Sequence, residues 1–90
     1  EKPMRRFVIW TDRFLVGSDS DLCDYCIADA SLAYRHALFV RDEKGMNIEA
    51  ISAEKNTYVN RRKVTKRNAV PIEDGDIIGL GDLEFEAHYY

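Results

Sequence analysis

Short apolar runs that alternate with polar residues recur along the whole chain, and turn-forming residues separate them. The last run is the clearest, since apolar and polar residues alternate strictly from Leu83 to Tyr89. This period of two gives a strand one apolar face and one solvated face. Turn residues return roughly every ten residues, which favours a β-sandwich over a mixed fold.

The pattern predicts strands at Phe7–Trp10, Phe14–Val16, Cys23–Ile27, Ala37–Arg41, Met46–Ile51, Thr57–Val59, Arg62–Val64, Ile77–Leu80 and Leu83–Tyr89. Tight turns are predicted at Asp42–Gly45, Asn60–Arg61 and Gly81–Asp82. One segment is ambiguous, because Asp29–Ala37 carries Ala and Leu at a density that also suits a short helix behind an Asp29 cap. A strand pattern follows at once, so we expect a loop there.

Length and composition are those of one small domain. The chain has 90 residues, of which 46% are hydrophobic, and no apolar run is long enough to span a membrane. Because the chain starts at Glu1 and not at Met, we expect residues 1–90 to be a single domain cut from a longer protein. The net charge of −3 argues against nucleic-acid binding. Any membrane association would come from regions outside this chain.

The two cysteines, Cys23 and Cys26, invite a metal or redox interpretation. Residues three apart in a strand point to opposite faces, so the two sulfurs would not converge. No second pair completes a ligand set, and we expect neither a metal nor another cofactor. Two thiols without a disulfide framework suit the cytoplasm, or the cytoplasmic face of a membrane protein.

Several short motifs follow one another in a recognisable order. They are Leu15-Val16-Gly17, Asp24-Tyr25-Cys26-Ile27, His36-Ala37, Thr57-Tyr58-Val59-Asn60 and Ile72-Glu73-Asp74-Gly75-Asp76-Ile77-Ile78-Gly79-Leu80-Gly81. In order and spacing the chain resembles a forkhead-associated (FHA) domain. The resemblance implies an all-β, FHA-like sandwich of two antiparallel sheets with about ten strands. It also implies a protein-interaction module, since the family usually binds phosphothreonine peptides.

The resemblance fails where the family holds the phosphate. The family's Gly-Arg becomes Gly17-Ser18, and its Ser-Arg-x-His becomes Ala33-Tyr34-Arg35-His36. The phosphate-binding Arg and Ser are therefore replaced. The resemblance implies that the retained His36 buttresses the loop from within.

The family's next loop, Ser-x-Asn-Gly-Thr, falls without gaps on Ala53-Glu54-Lys55-Asn56-Thr57, where only Thr57 matches. Asn56 then occupies the Gly position, where Asn tolerates a left-handed backbone. Alternatively the Gly is deleted and Asn56 takes the role of the family's Asn. The sequence leaves both alignments open.

The expected contact surface is a set of three loop segments that we call the recognition rim, namely Ser18–Ser20, Ala33–Arg35 and Glu54–Thr57. Hydrogen bonds to charged groups contribute roughly 1.5–3 kcal/mol each, so losing two donors lowers phosphate affinity on the order of 10²-fold or more. We therefore expect a protein or peptide partner and weakened or lost phosphothreonine binding. Tyr34 would be an exposed aromatic contact.

Two other functions remain open. An active phosphothreonine reader would rebuild the anion site from Arg35, Lys55, Asn56 and Thr57, with help from Arg13. An FHA-like structural subunit of a membrane secretion ring would also lack the phosphate-binding residues. We do not expect an enzyme, because no nucleophile is placed to work with His36. The basic run Arg61–Arg67 is expected at the opposite end from the recognition rim, as a solvated hairpin.

Overall fold

The computed structural model describes residues 4–66 and 68–90 and contains ten strands. They are β1 (Arg5–Ile9), β2 (Arg13–Gly17), β3 (Tyr25–Cys26), β4 (Ala37–Asp42), β5 (Gly45–Ala50), β6 (Thr57–Val59), β7 (Arg62–Val64), β8 (Val70–Ile72), β9 (Ile77–Leu80) and β10 (Leu83–Tyr89). One five-stranded sheet has the order β1-β10-β9-β6-β7 and the other the order β3-β2-β4-β5-β8. The all-β sandwich predicted from the alternation is confirmed.

Each sheet contains one parallel pair of strands. The sheets are therefore mixed, whereas purely antiparallel sheets were expected. β1 runs parallel to β10, and β2 runs parallel to β3. Parallel neighbours need a crossover and cannot be joined by a tight turn. The first pair joins the two ends of the chain, and the second is connected by the long loop after Gly17. Neither pairing leaves a local signal in the sequence.

The core lies between the two sheets, and strands such as β5 and β10 bury alternate residues in it. Phe85 and Ala87 are buried, whereas Glu84 is exposed, as the alternation in β10 predicts. At the centre, the Phe7 ring lies 5.6 Å from Phe85 and 5.7 Å from Phe39, measured between centroids. Burying one such side chain contributes about 1.5–3 kcal/mol. This packing holds the ends of the strands, and hence their loops, in place.

The predicted tight turns are present. Asn60 and Arg61 both have positive φ, at 49° and 69°, as a two-residue hairpin turn of type I′ requires. In the β4–β5 turn the Asp42 carboxylate accepts the N–H groups of Lys44 and Gly45, and the Lys44 bond lowers the pKa of Asp42. Residues 29–36 form turns and no helix, which confirms the loop interpretation.

β3 and β8 differ most from the prediction. β3 is only Tyr25–Cys26, so Cys23 precedes the strand and the argument from opposite faces does not apply to it. β8 was not predicted, because Pro71 at its centre hides the strand pattern. Its edge position beside β5 tolerates a residue that lacks an N–H donor. Arg67, the last residue of the basic run, lies outside the described residues.

No helix in residues 4–66 and 68–90 has the length and apolar character needed to cross a membrane. In the same ranges, no group of three or more His, Cys, Asp or Glu side chains is arranged to hold a metal ion.

Candidate functional site

Four connections meet at one edge of the sandwich and bring the recognition rim together. They are the β2–β3, β3–β4 and β5–β6 loops and the β9–β10 turn. The Ser18 N–H donates to the Ala33 carbonyl at 3.0 Å, which joins the first two loops. The Gly81 N–H donates to the Asn56 carbonyl at 3.0 Å, which joins the last two. The three rim segments thus form one surface.

His36 links the loops from beneath and is fully buried. Its Nδ1 accepts the Ala33 N–H at 3.0 Å, and its Nε2–H donates to the Asn56 carbonyl at 2.8 Å. Only a neutral imidazole offers one acceptor and one donor nitrogen. Burial lowers the pKa of His36 below 6.5, the bond to Asn56 opposes this shift, and the Lys55 cation adds to it. The ring therefore stays neutral at pH 7 and joins two rim segments.

Two glycines permit close approach of the backbone at this edge. A Cβ at Gly17 would lie 2.1 Å from the Tyr34 carbonyl oxygen, and a Cβ at Gly81 would lie 2.2 Å from the Ser31 carbonyl oxygen. Gly81 also has a φ of +61°, in the left-handed region. Real Cβ contacts essentially never fall below 3.0 Å. The loops can pack this closely only because these positions carry no side chain.

A shallow groove of about 410 Å³ crosses the edge beside the β9–β10 turn, and Ser31, Glu54, Lys55, Asn56 and Asp82 contribute to its lining. The Asp29 carboxylate accepts the backbone N–H and the hydroxyl of Ser31, and these bonds lower the pKa of Asp29. The Ser31 hydroxyl in turn accepts the Asp82 N–H at 2.9 Å. Ser31 and Asp82 were not singled out from the sequence, since their contact spans 51 residues of chain.

Charge at this edge is predominantly negative. Residues 18–23, 28–36, 51–56 and 81–82 contain five carboxylates and two cations, Arg35 and Lys55. The carboxylates are those of Asp19, Asp21, Asp29, Glu54 and Asp82. Arg13, expected as a possible helper, begins β2, whereas the rim lies beyond the other end of that strand at Gly17. The loop segments of the rim therefore carry a net negative charge.

The side chains of the rim residues differ in their exposure to solvent. The Ser18 hydroxyl donates inward to the Leu32 carbonyl at 3.4 Å, so it is turned away from a ligand. Tyr34 and Arg35 are exposed, Tyr34 to 74%. The neighbouring loop residue Leu22 is also exposed. The rim thus exposes apolar and aromatic surface at Leu22 and Tyr34.

The β5–β6 loop departs from one expectation. Asn56 does not adopt the left-handed backbone predicted for the Gly position, since positive φ among described non-glycine residues occurs only at Asn60 and Arg61. The reason is that the Ser52 hydroxyl accepts the N–H groups of Glu54 and Lys55, which turns the chain before Asn56 is reached. Lys55 and Asn56 are exposed, whereas Thr57 is buried.

The Thr57 hydroxyl is buried without a hydrogen-bond partner among the described residues. A buried unpaired hydroxyl costs about 1–3 kcal/mol. Replacing Thr57 by valine keeps the shape and removes that group, so we expect the free energy of unfolding to rise by about 1 kcal/mol. Denaturant unfolding measures this change, with Thr11→Val as a control at a half-exposed hydroxyl. If Thr57→Val raised the free energy of unfolding no more than Thr11→Val does, or lowered it, the Thr57 hydroxyl would be paired in solution.

Both cysteines are free and lie beside the rim. The Cys23 thiol donates to the Tyr34 carbonyl at 3.1 Å and the Cys26 thiol to the Ser18 carbonyl at 3.4 Å. Partial burial raises the pKa of Cys23, so its thiol stays protonated. These contacts support the loops and leave both sulfurs as weak donors.

Comparison with known proteins agrees with this architecture. The family model described as FHA domain matches residues 14–81. The FHA domain of an Arabidopsis thaliana hypothetical protein is 23% identical, with a TM-score of 0.72 over 83% of this chain and 67% of that chain. The MEK1 FHA domain, solved with a phosphothreonine peptide of HOP1, is 18% identical, with a TM-score of 0.70 over 86% and 79%.

Mycobacterium tuberculosis EmbR, solved with a low-affinity phosphopeptide, is 25% identical, with a TM-score of 0.73 over 83% of this chain and 19% of that chain. A search of curated proteins finds no match. Similarity at these identities concerns the fold, and the assignment to a family comes from the matched family model.

Proposed function

This chain belongs to the FHA domain family, and from that premise we propose that it is a protein–protein interaction module whose phosphothreonine binding is weakened or lost. One observation carries the proposal. At the edge where the loops converge, Ser18 and Ala33 occupy the positions of the family's phosphate-binding Arg and Ser, and the Ser18 hydroxyl is bonded inward to Leu32.

The electrostatics point the same way. A phosphoryl group carries about −1.5 to −2 charges and needs charge-assisted donors. The loops of the rim carry five carboxylates and two cations, so a phosphothreonine bound between them would meet repulsion from Glu54 and its neighbours. An unphosphorylated segment would avoid that repulsion. Exposed Tyr34 and Arg35 are the residue types that contribute most to protein interfaces.

The competing function is an active phosphothreonine reader that uses Arg35, Lys55, Asn56 and Thr57. The MEK1 and EmbR structures favour it, since both were solved with phosphopeptides. Within this chain, Arg35 and Lys55 are exposed cations on the rim. Burial of Thr57 argues against it, because that side chain is 1% exposed. We place either module in the cytoplasm, where its two free thiols stay reduced.

Calorimetric titration with phosphothreonine peptides and their unphosphorylated counterparts tests the proposal. We expect no saturable micromolar binding by the natural chain. The variant carrying both Ser18→Arg and Ala33→Ser restores the two donors and is expected to gain affinity on the order of 10²-fold for the phosphorylated peptides.

Arg35→Ala serves as the matched variant for the competing function. Micromolar binding by the natural chain that disappears on dephosphorylation would reject the proposal. Loss of that binding in Arg35→Ala would then assign the phosphate to Arg35. Equal affinity of the natural chain and the donor-restoring variant would show that Ser18 and Ala33 do not weaken phosphate binding.

A further inference from the structure

A second groove, of about 180 Å³, lies between the β5–β6 loop and the end of β7, and we call it the lysine groove. Lys55, Lys63 and Lys66 line it together with Ser52, Asn56 and Thr57. β7 runs antiparallel to β6 and places Val64 opposite Thr57, so the chain returns towards the rim after the Asn60–Arg61 turn. The expectation that the whole basic run lies at the opposite end is therefore wrong for Lys63 and Lys66.

The lysine groove is rich in donors and poor in acceptors. None of the described residues that line it carries a carboxylate. The Ser52 oxygen already accepts two backbone N–H groups, so its own proton is left to donate outward. Thr57 is 1% exposed, so its hydroxyl does not reach the groove. Three lysine side chains and the Ser52 hydroxyl therefore border a space that an oxyanion would satisfy.

We propose that the lysine groove binds carboxylates of an acidic segment in the polypeptide partner. Its volume is below the roughly 300–1,000 Å³ of small-molecule pockets, so it accommodates single side-chain groups and not a whole ligand. The three lysines come from three different places, before β6, within β7 and after β7. Separate point charges of this kind match a row of carboxylates better than one phosphoryl group.

Continuity with the rim supports a polypeptide as the bound molecule. Lys55 and Asn56 line both the lysine groove and the groove beside Asp82, so one extended chain can follow the surface from one to the other. The two grooves differ in charge, because Glu54 and Asp82 line the first groove and no described carboxylate lines the second. The inference depends on the proposed function in one respect, namely that the partner is a polypeptide.

A nuclear magnetic resonance titration with two synthetic peptides tests the site. One peptide alternates glycine with glutamate, and its neutral counterpart alternates glycine with glutamine. At low salt we expect the glutamate peptide to shift the amide signals of residues 52–57 and 63–66, and the glutamine peptide to leave them unchanged. Exposed ion pairs contribute up to about fivefold each, so the variant with Lys63→Ala and Lys66→Ala is expected to bind about tenfold more weakly.

Two further variants act as controls. Lys44→Ala removes an exposed lysine of the β4–β5 turn, outside the lysine groove, and is expected to leave the titration unchanged. Thr57→Val changes a hydroxyl that is buried beneath the groove, and it is also expected to leave the titration unchanged.

Several outcomes would overturn the inference. They are equal shifts with both peptides, glutamate-dependent shifts located elsewhere, or identical affinity after loss of Lys63 and Lys66. Stronger binding of inorganic phosphate, or of vesicles containing anionic lipid, at the same residues would also reject an acidic polypeptide as the ligand. A negative result in this peptide titration would not affect the proposed function. The phosphothreonine titration tests Ser18, Ala33 and Arg35, none of which lines the lysine groove.

Discussion

Replacing Gly81 by alanine is expected to lower the free energy of unfolding by about 2–5 kcal/mol. A left-handed backbone costs a residue with a Cβ roughly 1–2 kcal/mol, and overpacking against fixed atoms costs about 1–3 kcal/mol more. Both apply, since Gly81 has a φ of +61° and its Cβ would lie 2.2 Å from the Ser31 carbonyl oxygen. Denaturant unfolding measures the loss.

Gly75→Ala is the matched control for this effect. Gly75 also has positive φ, at +91°, but the nearest atom to a Cβ there is the His88 Cε1 at 3.9 Å. The difference between the two variants isolates the contact between the β9–β10 turn and Ser31. If Gly81→Ala proved no more destabilising than Gly75→Ala, the close packing of that turn against the β3–β4 loop would be excluded.

His36→Ala is expected to destabilise the domain by about 3–5 kcal/mol. The substitution leaves the Ala33 N–H without its acceptor, which costs about 1–3 kcal/mol, and it opens a cavity. It also removes one of the two donors to the Asn56 carbonyl, which keeps its bond to the Gly81 N–H. His88→Ala is the control, because His88 is partly exposed and interacts with Asp74 and Glu86 at the surface. Equal losses in both variants would mean that His36 does not link the loops.

The same residue sets an expected pH dependence. The pKa of His36 in the folded chain lies below the 6.5 of an unperturbed imidazole, so the unfolded chain binds the proton first as pH falls. The contribution of His36 to the free energy of unfolding is therefore fully present above pH 6.5. It decreases below that pH, by up to about 1.4 kcal/mol per pH unit, until the folded-state pKa is reached. Unfolding measured between about pH 7 and 5 tests this, and His36→Gln should remove this component.

A stability that stays constant or rises as pH falls through this window would contradict a depressed pKa for His36. If the loss were equal in His36→Gln, its origin would lie in other groups. Carboxylates such as Asp29 and Asp42, whose pKa values are lowered, contribute only at more acidic pH.

Local patterns in the sequence predicted much of the fold. The alternation from Leu83 to Tyr89 predicted β10 and its buried face, because a strand's side chains point alternately to its two faces. The Asn60–Arg61 turn was predictable because few residues tolerate positive φ. Pro71 hid β8, since the tolerance of an edge strand for proline depends on which strands lie beside it.

The candidate site was only partly predictable. The motifs around Gly17, His36 and Asn56 indicated which loops to examine, and the tertiary structure joins them through His36. The inward bond of Ser18 and the unpaired Thr57 hydroxyl could not be inferred, because each depends on atoms supplied by distant segments.

The sequence by itself determined the strand periodicity, the hairpin turns and the family motifs. These are properties of residue type and short spacing. Only the tertiary structure decided that the chain pairs in mixed sheets, that Gly81 packs against Ser31, and that Lys63 and Lys66 return to face Lys55. The physical reason is that such contacts follow from strand order and register, which place residues distant along the chain at van der Waals separation.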